Sequence, residues 1–421
     1  MKPASHPSDQ HPPPLLAQRN FAALWWGQLI SILGERLTYL ALVGLLAQHT
    51  QNFRDPRSSL LLTLLANVML APVLMFAPFT GAWVDRWNLR RVLIVSDLLR
   101  SVLVGLIPLL YLTSQHTMPV YGLVFGLFAC NVFFLPAKSA ITPEIVAPQQ
   151  LLAANALLAG AGIAATALGA LAGGWIVDHW GWSTALLINA GTYLVSVVAL
   201  ALIAYRPSHL PAPLPEISFR RYVSEVGEGW TVVRQNATVG LALIALAAVW
   251  VAGGFLHVAG NQHIQRAAQV PGMERLGVLL CVLGAGSGLG TWWVNAHGGR
   301  VPRPILLGGG LIFAGVGLLA FAVTTRFAVF SIAAFLIGIA AAPSFMLSET
   351  LLQESTEPRQ RGRVFSARDF LMRLVFLVGV SVAGAVTGAI GTRSTLLVCA
   401  AAVVGAGVLA LAWGRRVQPG G

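Results

Sequence analysis

The stretch that decides the fold is Gly81–Arg91, which reads GAWVDRWNLRR. It puts one acid, Asp85, and several arginines into a very short connection between two long apolar runs. Arginines beside a membrane span mark its cytoplasmic end. Gly81 lets two helix ends approach closely, and Asn88 stands where the chain must turn, so we expect it in the left-handed conformation that Asn tolerates. The stretch therefore predicts a tight cytoplasmic connection between two membrane-spanning helices.

The composition of the whole chain fits a polytopic membrane protein. Of its 421 residues, 56% are hydrophobic and 10% are charged, whereas a soluble domain carries about a quarter charged residues. The net charge of +12 does not indicate nucleic acid, because the basic residues lie in short connections and form no long basic patch. The expected surroundings are a lipid bilayer, and no nucleic-acid partner is expected.

Twelve apolar runs are each long enough to span a membrane, which takes about 20 residues. They cover 21–47, 59–82, 92–113, 119–140, 151–177, 182–204, 238–262, 274–296, 304–324, 327–350, 364–390 and 394–414. An even number places both termini on one side, and that side holds about 17 Lys and Arg. The opposite connections hold Arg54, Arg57, Arg266, Arg275, Arg326 and Arg393. This asymmetry predicts a multi-pass protein of the plasma membrane with both termini in the cytoplasm.

The spacing of the runs predicts two six-helix bundles, so the fold class is an all-α membrane protein with twelve transmembrane helices. The bundles cover 21–204 and 238–414, and the Pro-rich segment 205–237 is expected to be a cytoplasmic linker. Residues 1–20 are polar and Pro-rich, which predicts a disordered cytoplasmic tail, and 415–421 form a second cytoplasmic tail. We expect a monomer.

The Gly81–Arg91 stretch resembles the connection between helices 2 and 3 in the major facilitator superfamily of transporters. The family pattern is Gly, three residues, Asp-Arg, one residue, Gly, one residue and two basic residues. The residues that match in place are Gly81, Asp85, Arg86, Arg90 and Arg91. Asn88 departs from the pattern at the second Gly. The resemblance implies a secondary transporter that works by alternating access around a cleft between its two bundles.

Three further stretches resemble the branch of this superfamily that contains macrolide exporters and enterobactin-type siderophore exporters. They are NFAALWWGQLISILGERLTYLAL at 20–42, PEIVAPQQLLAANAL at 143–157 and RGRVFSARDF at 361–370. This implies proton-coupled efflux of a small amphipathic molecule such as a drug or siderophore. A lysophospholipid transporter or flippase is an alternative, since that family is similar around the connection between spans 4 and 5.

A membrane-embedded enzyme or sensor is an alternative of another class, but the sequence does not favour it. It contains no Walker loop, no Gly-x-Ser-x-Gly elbow and no His-Glu-x-x-His helix. His257 and His263 lack carboxylate or cysteine neighbours in sequence, so no metal site and no cofactor are expected. We therefore expect a transporter that is not an enzyme, with a small-molecule substrate and protons as partners.

Glu35 is the candidate proton-coupling residue, because it lies halfway along the first span. Gln28, Ser31, Glu35 and Thr38 recur at steps of three and four, so they share one helix face that should look into the cleft. A charge at this depth is costly unless it is hydrated, paired or neutralised. Glu35 either exchanges a proton, contacts the substrate, or is structural, paired with a residue such as Arg36. Arg36 itself either pairs with another span or binds an anionic group of the substrate.

Two other groups of charges suggest a cytoplasmic gate. Asp97 and Arg100 lie one helical turn apart, and Arg368, Asp369 and Arg373 fit intrahelical ion pairs, with Asp369 and Arg373 at i,i+4. By resemblance, the connection between helices 2 and 3 contacts the start of helix 11 when the inner gate is shut. We therefore assign these five residues to the gate, together with Gly81, Asp85, Arg86, Arg90 and Arg91 of the matching stretch.

The fifth span is rich in glycine, which allows close helix packing. Antiporters of the family carry Gly-Pro-x-x-Gly-Gly here, and this chain has Gly169, Gly173 and Gly174 but Ala170 in place of Pro. Either an antiporter motif or simple helix packing explains the glycines. Four amides in or near spans are candidates for helix pairing or substrate contact: Asn67, Asn131, Asn155 and Asn189.

Overall fold

The computed structural model describes most of the chain. The described ranges are 13–84, 86–205, 237–267, 272–356 and 361–417. Regular structure within them is entirely helical. The predictions for Asp85, for most of the linker 205–237 and for the outermost residues of both tails lie outside the described residues.

The first half forms six spanning helices, as the apolar runs predict. They are α1 (Arg19–His49), α2 (Ser58–Val84), α3 (Leu89–Ser114), α4 (Met118–Ile145), α5 (Leu151–Trp180) and α6 (Trp182–Ala201). A helix satisfies its own backbone hydrogen bonds, which is why an apolar chain crosses a bilayer in this form.

The second half forms six more, so the described residues contain twelve helices long and apolar enough to cross a membrane. The seventh, α7, consists of Ala237–Phe255, the π-helical turn Leu256–Gly260 and Asn261–Ala267. The others are α8 (Met273–His297), α9 (Arg303–Val323), α10 (Phe327–Ser355), α11 (Arg361–Ile390) and α12 (Thr392–Val417).

The helix ends differ from the sequence expectation at both tails. The chain is ordered before residue 21, because Leu15–Ala17 form a 3₁₀ turn and α1 starts at Arg19. Leu15 is buried against Phe21 and Val146, so apolar burial fixes part of the segment predicted to be a disordered tail. At the other end α12 continues to Val417, beyond the predicted boundary at 414.

Asn88 is not in the left-handed conformation that we expected. Its φ is −65° and its ψ is 109°, and its side-chain oxygen accepts a hydrogen bond from the backbone N–H of Arg91 at 3.1 Å. Asn88 therefore caps the N-terminus of α3, where an otherwise unpaired N–H needs an acceptor.

Each half packs mainly on itself. In the first bundle α1 packs against α5 and α6, and α3 packs against α4 and α6. In the second bundle α9 packs against α12 and α10, and α8 packs against α10. The bundles meet chiefly through α5 with α8 and through α2 with α11.

The bundles are closed against each other at the end opposite the termini. The Asp178 carboxylate, at the end of α5, accepts hydrogen bonds from the backbone N–H groups of Met273 (2.7 Å) and Glu274 (2.8 Å), the first residues of α8. A carboxylate at a helix N-terminus is favourable because it meets unpaired N–H groups and the positive end of the helix dipole. Arg266 adds a second link, since its Nε donates to the carbonyl of Phe53 at 2.8 Å.

Candidate functional site

The centre of the candidate site is Arg100, a fully buried arginine of α3. Its side chain is 1% exposed and pairs with Asp97, one turn earlier on the same helix and 0% exposed. Its Nη1 also donates to Glu35 Oε1 of α1 at 2.8 Å and to Asn131 Oδ1 of α4 at 3.3 Å. Three helices of the first bundle therefore converge on one guanidinium.

The surroundings of Arg100 strengthen these interactions. Its Cζ lies 4.3 Å from the ring centroid of Phe134 and 4.7 Å from that of Tyr193. Aromatic faces attract a guanidinium, and they exclude the water that would otherwise screen its charge. With both acids ionised, Glu35, Asp97 and Arg100 together carry one net negative charge.

A cavity of about 1110 Å³ lies beside this network, between the two bundles. Its walls come from α1, α4, α5 and α8, in the middle of the molecule and in the half that holds the described chain ends. Most of the lining is apolar, with Ile32, Phe134, Leu280 and Trp292 among it. The charged and polar lining residues are Gln28, Glu35, Arg36, Asn131, Lys138, Thr166, Ser287 and Thr291. The site can therefore hold a drug-sized amphipathic molecule.

The predicted polar stripe of α1 divides between the cavity and the helix contacts. Gln28 and Glu35 line the cavity, and the Glu35 side chain is 32% exposed. Ser31 and Thr38 are not among the residues that line the cavity, and Thr38 accepts a hydrogen bond from Asn189 of α6. The expectation that all four residues face the cleft is therefore wrong, because α6 packs over part of the stripe.

Glu35 does not pair with Arg36, the partner suggested by sequence. Its Oε1 binds Arg100, while Arg36 is exposed and lines the cavity. Among the described residues, none forms an ion pair with Arg36. Neighbours in sequence point about 100° apart around a helix, so a partner on another helix is better placed than the next residue.

The residues assigned to the gate occupy three separate places. Arg86 lies in the connection between α2 and α3, whereas Arg90 and Arg91 lie in the first turn of α3. Arg90 donates to the carbonyls of Leu200 and Ala201 at the end of α6. A cation there satisfies carbonyls that the helix leaves free. Gly81 lies in the last turn of α2.

Asp97 and Arg100, the second of these places, do form the predicted intrahelical pair, but Arg100 also binds Glu35. The pair is thus linked to the candidate proton-coupling residue through Arg100. The gate assignment of both residues stays a prediction.

The third place is a pocket of about 360 Å³ between α7, α10 and α11. Arg368 pairs there with Glu349 of α10 and with Asp369 at 3.0 Å. Within the described part of the chain, Asp369 pairs with Arg368 and not with Arg373, so the predicted i,i+4 pair is wrong. Arg368 already provides the nearer guanidinium, and Arg373 lines the same pocket.

The three glycines of α5 lie at close helix contacts. A Cβ at Gly169 would come within 2.7 Å of the Leu33 carbonyl oxygen, and one at Gly173 within 3.2 Å of the Leu37 Cα, both on α1. A Cβ at Gly174 would collide with the carbonyl of Met273 on α8. The same contact from the other side is made by Gly277, where a Cβ would collide with the carbonyl of Ala170. The glycines thus allow α5 to approach both α1 and α8.

The sequence alone did not identify three charged residues that contribute to the cavity, to the ion pairs or to the contact between the bundles: Lys138, Glu349 and Asp178. Lys138 lines the cavity, Glu349 pairs with Arg368, and Asp178 joins the bundles. Each is a charge within or at the end of an apolar helix, which was the available signal. No group of three or more potential metal ligands occurs among the residues that the structure describes.

The amides and histidines of the spans mostly join helices. Asn67 of α2 donates to Ser381 of α11 at 3.1 Å, and Tyr39 of α1 lies 3.2 Å from Nδ1 of His257 at the π-helical turn of α7. Both contacts run between the bundles. They add polar links to the interface that closes one end of the molecule.

The described residues thus contain twelve helices able to span a membrane and a cavity between the two bundles with charged residues in its wall. Both features are typical of a membrane transport protein. The family model of the Major Facilitator Superfamily matches residues 24–300 and 276–421, so the chain belongs to that superfamily. It is therefore a secondary transporter and a multi-pass membrane protein, and the family consists of transporters rather than enzymes.

Two of the relatives with named functions carry the names of exporters. The chain is 21% identical over 411 residues to macrolide efflux protein A of Streptococcus pyogenes, covering 91% of this chain and 94% of that one. It is 25% identical over 309 residues to the putative bacilysin exporter BacE of Bacillus subtilis, covering 73% and 75%. A bacterial homologue of the human lysosomal transporter Spinster, solved inward-facing and unoccupied, has a similar fold, with a TM-score of 0.66, 13% identity and coverage of 93% and 97%.

Proposed function

We propose that this protein exports a small amphipathic molecule in exchange for protons, by alternating access. The observation that carries the proposal is Glu35, an acid on the cavity wall held by the buried Arg100. Its Oε1 is bound to Arg100, whereas Oε2 forms no hydrogen bond with any described residue. A proton can therefore reach Glu35 from the cavity without breaking the contact between Arg100 and Asp97.

The names of the relatives and the expected topology support the proposed direction of transport. One relative is named a macrolide efflux protein and another a putative bacilysin exporter, and both names support efflux here. If both termini are cytoplasmic, the cavity faces the cytoplasm and the closed end faces outward. This is the state in which an exporter loads its substrate.

The proposed exchange uses the balance of charge around Arg100. With Glu35 ionised, the network has one net negative charge, which favours either a proton or a cationic group of the substrate. A proton on Glu35 leaves Arg100 paired with Asp97 alone. Substrate and proton then compete for one charge, which is the condition for exchange rather than independent leakage.

Glu35→Gln tests the proposal, because the amide imitates the protonated acid. The ligand is first identified by thermal-shift screening of the purified protein against drugs, siderophores and lysolipids. In sealed proteoliposomes, the variant should lose uphill, proton-driven transport and keep downhill exchange, since the amide retains most hydrogen bonds. A stable variant with full uphill transport would contradict the proposal.

A matched control is Glu354→Gln, which removes an acid from an exposed ion pair outside the cavity. Glu354 lies 3.0 Å from Arg303, and both side chains are about half exposed, so both transport modes should persist. If Glu35 is purely structural, its variant should instead lower the melting temperature and both transport modes together. Transport without any proton dependence in the unmodified protein would favour lipid flipping over exchange.

A further inference from the structure

We propose that the cavity binds a zwitterion, with the ammonium group of the transported molecule on Glu35 and its carboxylate between Arg36 and Lys138. This inference rests on the proposed function and adds the charge pattern of the substrate. It follows from which charges on the cavity wall are already neutralised by the protein and which are not.

Glu35, the acid of the cavity, has one carboxylate oxygen that forms no hydrogen bond with a described residue. Glu35 Oε1 accepts from Arg100, whereas Oε2 has no hydrogen-bond partner among the described residues, and the side chain lines the cavity and is 32% exposed. Arg100 is shared with Asp97, so it does not neutralise Glu35 fully. A carboxylate in this position attracts an ammonium group, and charge-assisted hydrogen bonds of this kind are among the stronger ones.

The two cations of the cavity take part in no ion pair among the described residues, although Glu35 acts on Lys138 electrostatically at longer range. Arg36 projects from α1 and Lys138 from α4, and both line the cavity. A cation at membrane depth is costly unless water or an anion accompanies it, and such residues mark substrate pathways. Together they provide an anion site on two neighbouring walls.

The alternative charge patterns fit less well. A simple anion would leave Glu35 unmatched and would favour its protonated form, so the anion and the proton would bind together rather than exchange. A simple cation would be repelled by Arg36 and Lys138. A zwitterion matches both signs, and its ammonium group competes with the proton for Glu35. The apolar lining, including Ile32 and Trp292, accommodates the hydrocarbon part of the molecule.

Equilibrium binding to the full-length protein in nanodiscs tests the inference without any gradient. The probe is the dipeptide leucyl-phenylalanine, compared with its N-acetyl form and its C-terminal amide, each lacking one charge. We expect the dipeptide to bind, and each blocked form to bind about tenfold more weakly, the change that 1.4 kcal/mol produces. Equal binding of a blocked form, or no saturable binding of the dipeptide to folded protein, would overturn the inference.

Lys138→Gln assigns the carboxylate site. In this variant the preference for the dipeptide over its amide should fall, because Arg36 alone remains to bind the carboxylate, whereas Lys138→Arg should restore the full preference. Arg303→Gln, which removes an exposed arginine outside the cavity, is the control and should keep the full preference. If Lys138→Gln keeps that preference in folded protein, the site assignment is wrong.

The two proposals fail separately. Proton-driven export of an uncharged or cationic drug, without dipeptide binding, would contradict the inference that the substrate is a zwitterion. It would leave the proposed exchange mechanism unaffected. Charge-dependent dipeptide binding without proton-driven transport would do the reverse.

Discussion

At the scale of single residues, Arg100 is a buried arginine that forms ion pairs with two acids. It is one of the largest fully buried side chains, and it joins an acid of its own helix to an acid of α1. The i,i+3 spacing was enough to predict the contact with Asp97. The contact with Glu35 could not be predicted, because it depends on how α1 and α3 pack, which spacing within a helix does not encode.

Arg100→Leu should destabilise the protein severely. The substitution leaves Asp97 buried without its guanidinium, and removing one partner of a buried ion pair costs about 3–5 kcal/mol. Thermal unfolding of the purified protein measures the effect. Arg303→Leu is the comparison, because its exposed pair with Glu354 contributes at most about 1 kcal/mol. Similar melting temperatures for the two variants would contradict the role assigned to Arg100.

At the level of helices, α5 and α8 are in close contact at the closed end of the molecule. Gly174 and Gly277 let the two backbones meet, and Asp178 then caps α8. The glycine-rich pattern of α5 predicted close packing but did not identify the partners. One face of α5 meets α1 of its own bundle and another meets α8, and a sequence pattern does not distinguish these neighbours.

Gly277→Ala should prevent the closed end from closing fully. The new methyl group would collide with the Ala170 carbonyl, whereas Gly288→Ala on the same helix has open space and is the matched control. Spin labels at positions 180 and 326, in a background without the three native cysteines, report the distance between the bundles at this end. We expect a longer distance in Gly277→Ala only. An unchanged distance would show that this contact does not control the closure.

On the scale of the whole molecule, the apolar runs predicted all twelve spanning helices, with boundaries displaced by a few residues. This succeeds because a bilayer imposes length and hydrophobicity on each segment separately. The cavity was harder to predict, since its walls come from α1, α4, α5 and α8, which are distant in sequence. Lys138 illustrates the difficulty, because only the fold brings it to the same cavity as Arg36.

The orientation of the molecule stays a prediction from its arginine distribution. Both ends of the chain should lie in the cytoplasm, because about 17 Lys and Arg flank that side against six on the other. A reporter fused after residue 421 that is active only in the cytoplasm should therefore be active. Activity restricted to an outer-side reporter would reverse the orientation and make the cavity face outward.

The central claim is that Glu35 releases its proton when the transported molecule binds. Proton release on ligand binding measures this directly, with purified protein in weakly buffered solution, a pH-sensitive dye and the ligand identified by thermal-shift screening. Measured over a series of pH values, binding should release up to about one proton per molecule from the unmodified protein, and none from Glu35→Gln. Equal proton release from a Glu35→Gln variant that still binds the ligand would contradict the claim.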